Sequence, residues 1–415
     1  MNIAIVGGGI IGLSTAHYLQ RDGHQVTLFD AGEGLDNCSF GNAGYICPSH
    51  FIPLATPGNL KNGLKWMWNS RSPFYVEPRL DWNLIKWGLL FMRSATERKV
   101  RAAAAPLRDI ALVSQQAYID WHEAGFDFQY QHRGLLELVQ TPAGEHHAHE
   151  TINRAISLGL VDTEWLDVDQ LHALEPGVRM NARGAILFHC DGHCSPDRLM
   201  RGLRDRLEQE GVRFRWNEPV LGVESAHRRI HSIRTQSGLQ AFDQVVLAAG
   251  SWSGSLAKSM GLSLPLMPGR GYSLTVENNP FQLNRPSILV EGRVALTPLS
   301  PNTMRFGGTM EITSHKTPPR LSRMKGIIEA VKRYYPDVEL PMPTIEQVWY
   351  GYRPCTPDGL PYIGKVRHLD NLVIATGHAM LGLSLGAGTG KLVSQLLAEK
   401  PTEMDIRPFD PNRFN

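Results

Sequence analysis

The chain has 415 residues, 42% hydrophobic and 20% charged, which describes a globular protein long enough for two domains and excludes intrinsic disorder. A formal net charge of +2 gives no electrostatic reason to expect nucleic acid as a partner. Five irregularly spaced cysteines argue against a disulfide framework and for a reducing compartment. No stretch approaches the ~20 apolar residues of a membrane span, and the apolar N-terminus reads as a strand, not a signal peptide. A cytoplasmic location is expected.

The first element is the run Ile3 to Val6, which stops at three glycines. Gly7-x-Gly9-x-x-Gly12 opens an amphipathic stretch to about Gln20, and a second apolar run, Val26 to Phe29, ends in Asp30, eighteen residues after Gly12. Strand, tight turn, helix and strand closed by an acid form the dinucleotide-binding βαβ arrangement. Gly7 permits the turn, Gly9 lets the backbone approach a pyrophosphate, and Gly12 lets helix and strand pack closely. The helix start, with Ile10 and Ile11, directs N–H groups and positive potential at the phosphates. Asp30 is placed to accept hydrogen bonds from an adenosine ribose.

Residues 31–58, rich in Gly, Asn, Ser and Pro, read as loop, and residues 59–133 as helical, most clearly Ala102 to Ala105 and Leu107 to Trp121. From Lys61 to Arg108 there are ten Lys/Arg against three Asp/Glu, together with Trp66, Trp68, Trp82 and Trp87. That composition fits a solvated face with its indoles turned inward, or peripheral contact with a membrane on its cytosolic face. A strand follows at Leu135 to Val139. Ser195-Pro196 supplies an N-cap and first helical position for a helix to about Glu210. Strands are expected at Val212 to Trp216, near Val220, at Arg229 to Arg234 and at Asp243 to Ala249, the last of a kind that returns to a parallel sheet. Residues 272–310 alternate, with turns at Asn278-Asn279 and Pro301-Asn302, and predict antiparallel strands. Asn371 to Ala375 reads as a strand and Gly382 to Glu399 as a helix after a Gly-rich turn.

Two motifs fail on spacing. His189-Cys190-Asp191-Gly192-His193-Cys194 has no complementary cysteine pair elsewhere, so a turn feeding the Ser195 helix is expected and no metal. Gly386-Ala387-Gly388-Thr389-Gly390-Lys391 lacks the first glycine and the final Ser/Thr of a phosphate loop; close packing of the helix against a ligand or strand accounts for it. The two chain ends thus form a discontinuous Rossmann-like α/β domain (1–58, 150–255, 345–415), with an inserted α+β substrate domain built on an antiparallel sheet (59–149, 256–344).

Four segments carry a more specific signal: SFGNAGYICPSHFIPLATPG (39–58), GRGYSLTV (269–276), WYGYRPCTPDGLPYIG (349–364) and ATGHAMLGLSLGAGTGKLVSQLL (375–397). Together they resemble the flavin-dependent D-amino acid oxidising family, above all its bacterial D-amino acid dehydrogenases, with glycine and sarcosine oxidases more distant. The resemblance spans nearly the whole chain and is weakest between residues 61 and 185. It implies FAD, and an amino acid held with its Cα–H against flavin N5. Arg353 is then the clamp for the substrate carboxylate, because a guanidinium grips a carboxylate bidentately. Tyr272 either adds a phenol hydrogen bond to that carboxylate or simply packs.

Ser39, Asn42, Ala43 and Gly44 would present backbone groups to the flavin ring or pyrophosphate, Val220 would meet the adenine, and Ala249, Gly250 and Trp252 would form the strand-end turn beside the dinucleotide. Gly377, His378, Gly382 and Leu383 resemble the turn at the flavin's pyrimidine edge; His378 reads as a flavin contact before a base. Gly351 stands where oxidases with covalent flavin carry cysteine, so noncovalent FAD is expected. The resemblance favours oxidative deamination with a quinone or other respiratory-chain acceptor, and leaves open cyclic substrates such as D-proline or hydroxy-D-proline. Alternatives are a glycine- or sarcosine-type oxidase using O2, a non-catalytic flavoprotein partner and an NAD-dependent dehydrogenase.

Overall fold

The computed structural model describes residues 1–60, 74–278 and 282–415. Trp66, Trp68 and Asn279 lie outside these described residues.

Short strands with largely apolar, buried centres pair in parallel. Asn2–Val6 lies between Gln25–Phe29 and Gln244–Leu247, both parallel to it. Arg213–Arg215 extends one side and Leu372–Thr376 the other, again in parallel, and antiparallel Tyr362–Lys365 closes the edge. Strand order reverses between Asn2–Val6 and Gln244–Leu247. Their C-terminal ends therefore flank the crevice in which open α/β sheets hold ligands. The antiparallel meander Gly222–Ala226, Arg229–Thr235, Gly238–Ala241 is attached nearby.

Three helices, Ile10–Arg21, Glu97–Glu123 and Gly386–Leu397, pack together over this sheet. The GAGTG glycines permit that contact. A Cβ at Gly388 would lie 2.9 Å from the Ser114 backbone, and one at Gly390 2.5 Å from the Ser14 carbonyl carbon. These glycines meet two helices, not the ligand or strand expected from sequence.

The second layer is a larger sheet, ordered Trp349–Cys355, Met267–Val276, Thr303–Ile312, Val294–Ser300, Ser287–Leu289, Leu135–Val139, Gly184–Phe188, Thr163–Leu166. It is antiparallel except where Ser287–Leu289 meets Leu135–Val139 and where Phe74–Val76 joins Thr303–Ile312. Helix Ser322–Tyr334 covers one face with a continuous apolar core.

Strand pairing divides the chain differently from the sequence boundaries. Thr163–Leu166, Gly184–Phe188 and Trp349–Cys355, expected in the nucleotide domain, are strands of the large sheet, and Glu97–Glu123, expected in the substrate domain, packs in the nucleotide layer's core. Long-range hydrogen bonding overrides sequence order here. Val220 precedes its strand, which begins at Gly222; Ser195 and Pro196 take the expected N-cap and first helical positions, with the Ser195 hydroxyl donating to Asp197 at 2.9 Å rather than accepting from a backbone N–H. The final helix starts at Gly386, after a 3-10 turn at Ala379–Leu381. No helix among the described residues is long and apolar enough to cross a membrane.

Candidate functional site

A cavity of about 1220 Å³ is lined by both layers. One end is built by the βαβ unit. Gly7 adopts φ +117°, and a Cβ there would fall 2.4 Å from the Ala248 carbonyl oxygen; at Gly12 it would fall 1.8 Å from that of Gly7. At Gly9 it would meet only Ser39 Oγ, at 3.5 Å, and Gly9, Ile10 and Ile11 line the cavity. Asp30 accepts from Gly8 N at 2.6 Å and Gly32 N at 2.8 Å, which locks the turn while the carboxylate still faces the cavity. Val220, Ala249, Gly250 and Trp252 line the same end. These features fit a dinucleotide: an open helix start for phosphates and an anchored acid for a ribose.

The loop after Gln25–Phe29 carries the wall onward. Its carbonyls are tied to the large sheet: Gly41 O accepts from Ser273 Oγ, Phe40 O and Asn42 O from Arg305 Nη1, and Ala43 O from Thr297 Oγ1, at 2.6–3.0 Å. Ser39 Oγ accepts from Ile10 N at 3.1 Å, joining loop to helix start. Asn42 Oδ1 accepts from Gly44 N at 2.9 Å. Ser39, Asn42 and Ala43 line the cavity, whereas Gly44 and Gly377 lie behind its wall in left-handed turns.

Arg353 stands toward the large-sheet end. Its Nη1 donates to Thr309 O at 2.6 Å, its guanidinium covers Gly271, and no carboxylate among the described residues lies within ion-pair distance. Burial lowers its pKa from the usual arginine value. A cavity-facing guanidinium without an internal anion is an anion receptor. Gly351 lines the cavity beside it, and a Cβ there would strike the Trp349 ring at 2.3 Å.

Tyr272 also lines the cavity, but its hydroxyl donates to Glu311 at 3.0 Å and accepts from Arg320 N at 2.9 Å. Of its two sequence readings, packing matches this arrangement. His378 turns its ring to Thr389 Oγ1 at 2.9 Å, and burial pulls its pKa to about 3, so the imidazole is neutral. Gly382 and Leu383 continue the wall.

Sequence reasoning missed several groups. Arg270 and Glu311 form a fully buried ion pair beneath the site. His50 and Glu137 line the cavity; the only available signal for Glu137 was an acid inside the apolar strand LLELV. Cys47, His50 and Asp191 bring three possible metal-donor atoms within 4.8 Å of one another. Asp191 already accepts from Ser49 N at 3.1 Å, Ser49 Oγ at 2.5 Å and Cys190 Sγ at 3.4 Å, so the cluster is internally hydrogen-bonded. His189 of the HCDGHC segment points instead to Glu164, 2.8 Å away.

The fold and cradle define a flavin-binding oxidoreductase of the two-layer kind. A family profile described as FAD dependent oxidoreductase matches residues 2–396, and the chain belongs to that family. It is 32% identical over 414 residues to the D-amino acid dehydrogenase of Granulibacter bethesdensis, covering 98% of this chain and 97% of that one. It is 30% identical to D-amino acid dehydrogenase 1 of Mesorhizobium japonicum, over the whole of both chains. Its fold matches glycine oxidase from Geobacillus kaustophilus, with TM-score 0.77 and 24% identity over 100% of this chain and 98% of that one. It likewise matches L-proline dehydrogenase from P. horikoshii, with TM-score 0.73 and 18% identity over 100% and 97%.

Proposed function

We propose that this FAD enzyme oxidises the Cα–N bond of a D-amino acid, and that electrons then pass to a quinone-type acceptor. The observation that carries the reading is Arg353, a cavity-facing guanidinium with no carboxylate partner among the described residues, in the same cavity as the dinucleotide cradle. The relatives named D-amino acid dehydrogenase support the substrate class, and the word dehydrogenase in those names favours an acceptor other than oxygen. FAD, held noncovalently by the glycine turn, Asp30 and the Ser39–Ala43 loop, supplies a hydride acceptor for the substrate Cα–H.

Arg353 binds the α-carboxylate and fixes the orientation of Cα. The large sheet and the loop wall exclude water from the reacting bond. His378 serves as part of the wall, since an imidazole held neutral by burial and turned to Thr389 takes no proton from substrate. The imino acid product hydrolyses to a 2-oxo acid and ammonia, whereas a cyclic substrate such as D-proline or hydroxy-D-proline leaves a ring imine.

An anaerobic screen of D-, L- and N-methyl amino acids, following flavin bleaching, tests the reading. Bleaching by D-amino acids is expected; bleaching by glycine or sarcosine alone, with stoichiometric peroxide in air, replaces it with the oxidase alternative. No bleaching by any of them leaves the non-catalytic flavoprotein.

Peripheral membrane contact would bring a quinone within reach. It is supported by helix Trp82–Ser94, whose outer face exposes Trp82 (75%), Ile85, Leu89 and Met92 beside Lys86 and Arg93. Co-flotation with anionic vesicles, lost in a Trp82→Ser/Leu89→Ser variant, is the expected result.

A further inference from the structure

One charged side chain in the cavity wall has no part in the chemistry above. Glu137 occupies the middle of Leu135–Val139, inside the large sheet between Gly184–Phe188 and Ser287–Leu289. Leu136 and Leu138 face the helix-covered core of the sheet, while Glu137 lies on the cavity side. Pairing places it in one row with Ile288, Ala295, Gly307 and Ser273, all of which line the cavity. It makes no hydrogen bond or ion pair among the described residues.

Glu137 is half-buried and opens onto the cavity, so a partner for its carboxyl can reach it from there. Among the described residues the charge that acts on it is Asp191, also negative, and burial and that repulsion raise its pKa to about 7. The group that relieves both costs is a cation.

The position of Arg353 sets a length. Its guanidinium bonds Thr309 O in Thr303–Ile312, and that strand stands three places from Leu135–Val139 in the sheet. Three strand spacings amount to about 14 Å.

We infer that Glu137 determines specificity at the distal end of the substrate pocket, receiving the ammonium or guanidinium of a long basic side chain whose carboxylate Arg353 holds. This rests on the amino acid reading of the site. A side chain as short as alanine's leaves Glu137 unpaired, and an unbranched side chain of lysine or arginine length reaches it.

The test uses purified, FAD-loaded protein and the shift in flavin absorbance on ligand binding. The probes are 6-aminohexanoate, which carries a carboxylate and a distal ammonium, and hexanoate, which lacks the ammonium. The first is expected to bind about tenfold tighter or better. Glu137→Gln and Glu137→Leu should each bring that ratio close to one with hexanoate still binding and FAD still held, which also reports an intact fold.

In turnover, D-lysine and D-arginine should exceed D-norleucine in kcat/KM by a similar factor, again only with Glu137 present. Equal binding of the two probes to the unaltered protein overturns the inference, as does a preference that survives both substitutions. Bleaching by D-alanine and D-norleucine without that preference rejects the role of Glu137 alone. A 6-aminohexanoate preference without D-amino acid oxidation supports the contact and rejects the reaction.

Discussion

The guanidinium of Arg353 occupies the space that a side chain at Gly271 would need: a Cβ there would fall 2.1 Å from Arg353 Nη1. The two residues sit on paired strands, Gly271 opposite Gly351 and Arg353 opposite Gly269. Glycine is required at 271 by this close approach and not by its backbone angles. Gly271→Ala should push the guanidinium aside and lower kcat/KM about 10²-fold, the typical cost of an ångström's misplacement. Steady-state kinetics beside the flavin spectrum check it: activity falls and the bound flavin remains.

Truncating the clamp itself should be more severe. Arg353→Ala is expected to abolish saturable flavin reduction by amino acids, a loss of about 10²-fold or more in kcat/KM, with FAD still bound. Arg353→Lys should recover only part, because an ammonium lacks the planar fork. Unchanged bleaching in the alanine variant removes Arg353 from its role.

At the other end of the cavity, Gly12→Ala would place a methyl 1.8 Å from the Gly7 carbonyl oxygen, so helix and turn must separate. The phosphate cradle then opens. The expected result is protein purified with little flavin, read as the ratio of flavin to protein absorbance; full flavin content would contradict the cradle.

Glu311 is predicted to matter for stability. It accepts from Arg270 Nε at 3.0 Å and Nη2 at 2.8 Å, and from Tyr272 at 3.0 Å, with Glu311 and Arg270 fully buried. Glu311→Ala strands the arginine, which costs about 3–5 kcal/mol in such settings. A denaturant midpoint unchanged from the unaltered protein would refute it.

Acid should weaken the fold through its buried histidines. His378 has a folded pKa of about 3 against an ordinary 6.5, so between those values the unfolded chain binds the extra proton. Stability contributed by the neutral ring is whole above pH 6.5 and is lost as pH falls toward 3, amounting to about 2 kcal/mol at pH 5. His17, His50 and His193, at about 4, act in the same direction, while Asp191 and Glu137, raised to about 6 and 7, oppose it. Thermal melts from pH 7.5 to 5 should show a shallower decline in His378→Gln than in the unaltered protein.

How much could be read in the sequence follows the range of the interactions involved. The Gly7, Gly9 and Gly12 turn and Asp30 were legible because strand, turn and helix chemistry is local. Strands such as Leu135–Val139 and the Pro301-Asn302 hairpin were legible for the same reason. Tyr272 and His378 line the cavity, but their partners were not legible, since Glu311 and Thr389 meet them only through strand pairing and helix packing. The assignment of residues 163–188 to the nucleotide layer failed likewise, because a strand's sheet is chosen by its hydrogen-bonded neighbours.

The sequence by itself determined a βαβ dinucleotide unit at the start of the chain and, through its C-terminal segments, singled out Arg353, which the fold places in the wall of the same cavity. Periodicity, turn residues and motif spacing are properties of adjacent residues and survive without a fold. Only the tertiary structure decided that, among the described residues, Arg353 has no carboxylate partner and Glu137 none of opposite charge in the same cavity, and that Glu311 satisfies Arg270 instead. Those facts depend on which charges are brought within a few ångströms of one another, and strands hundreds of residues apart in the chain set those distances.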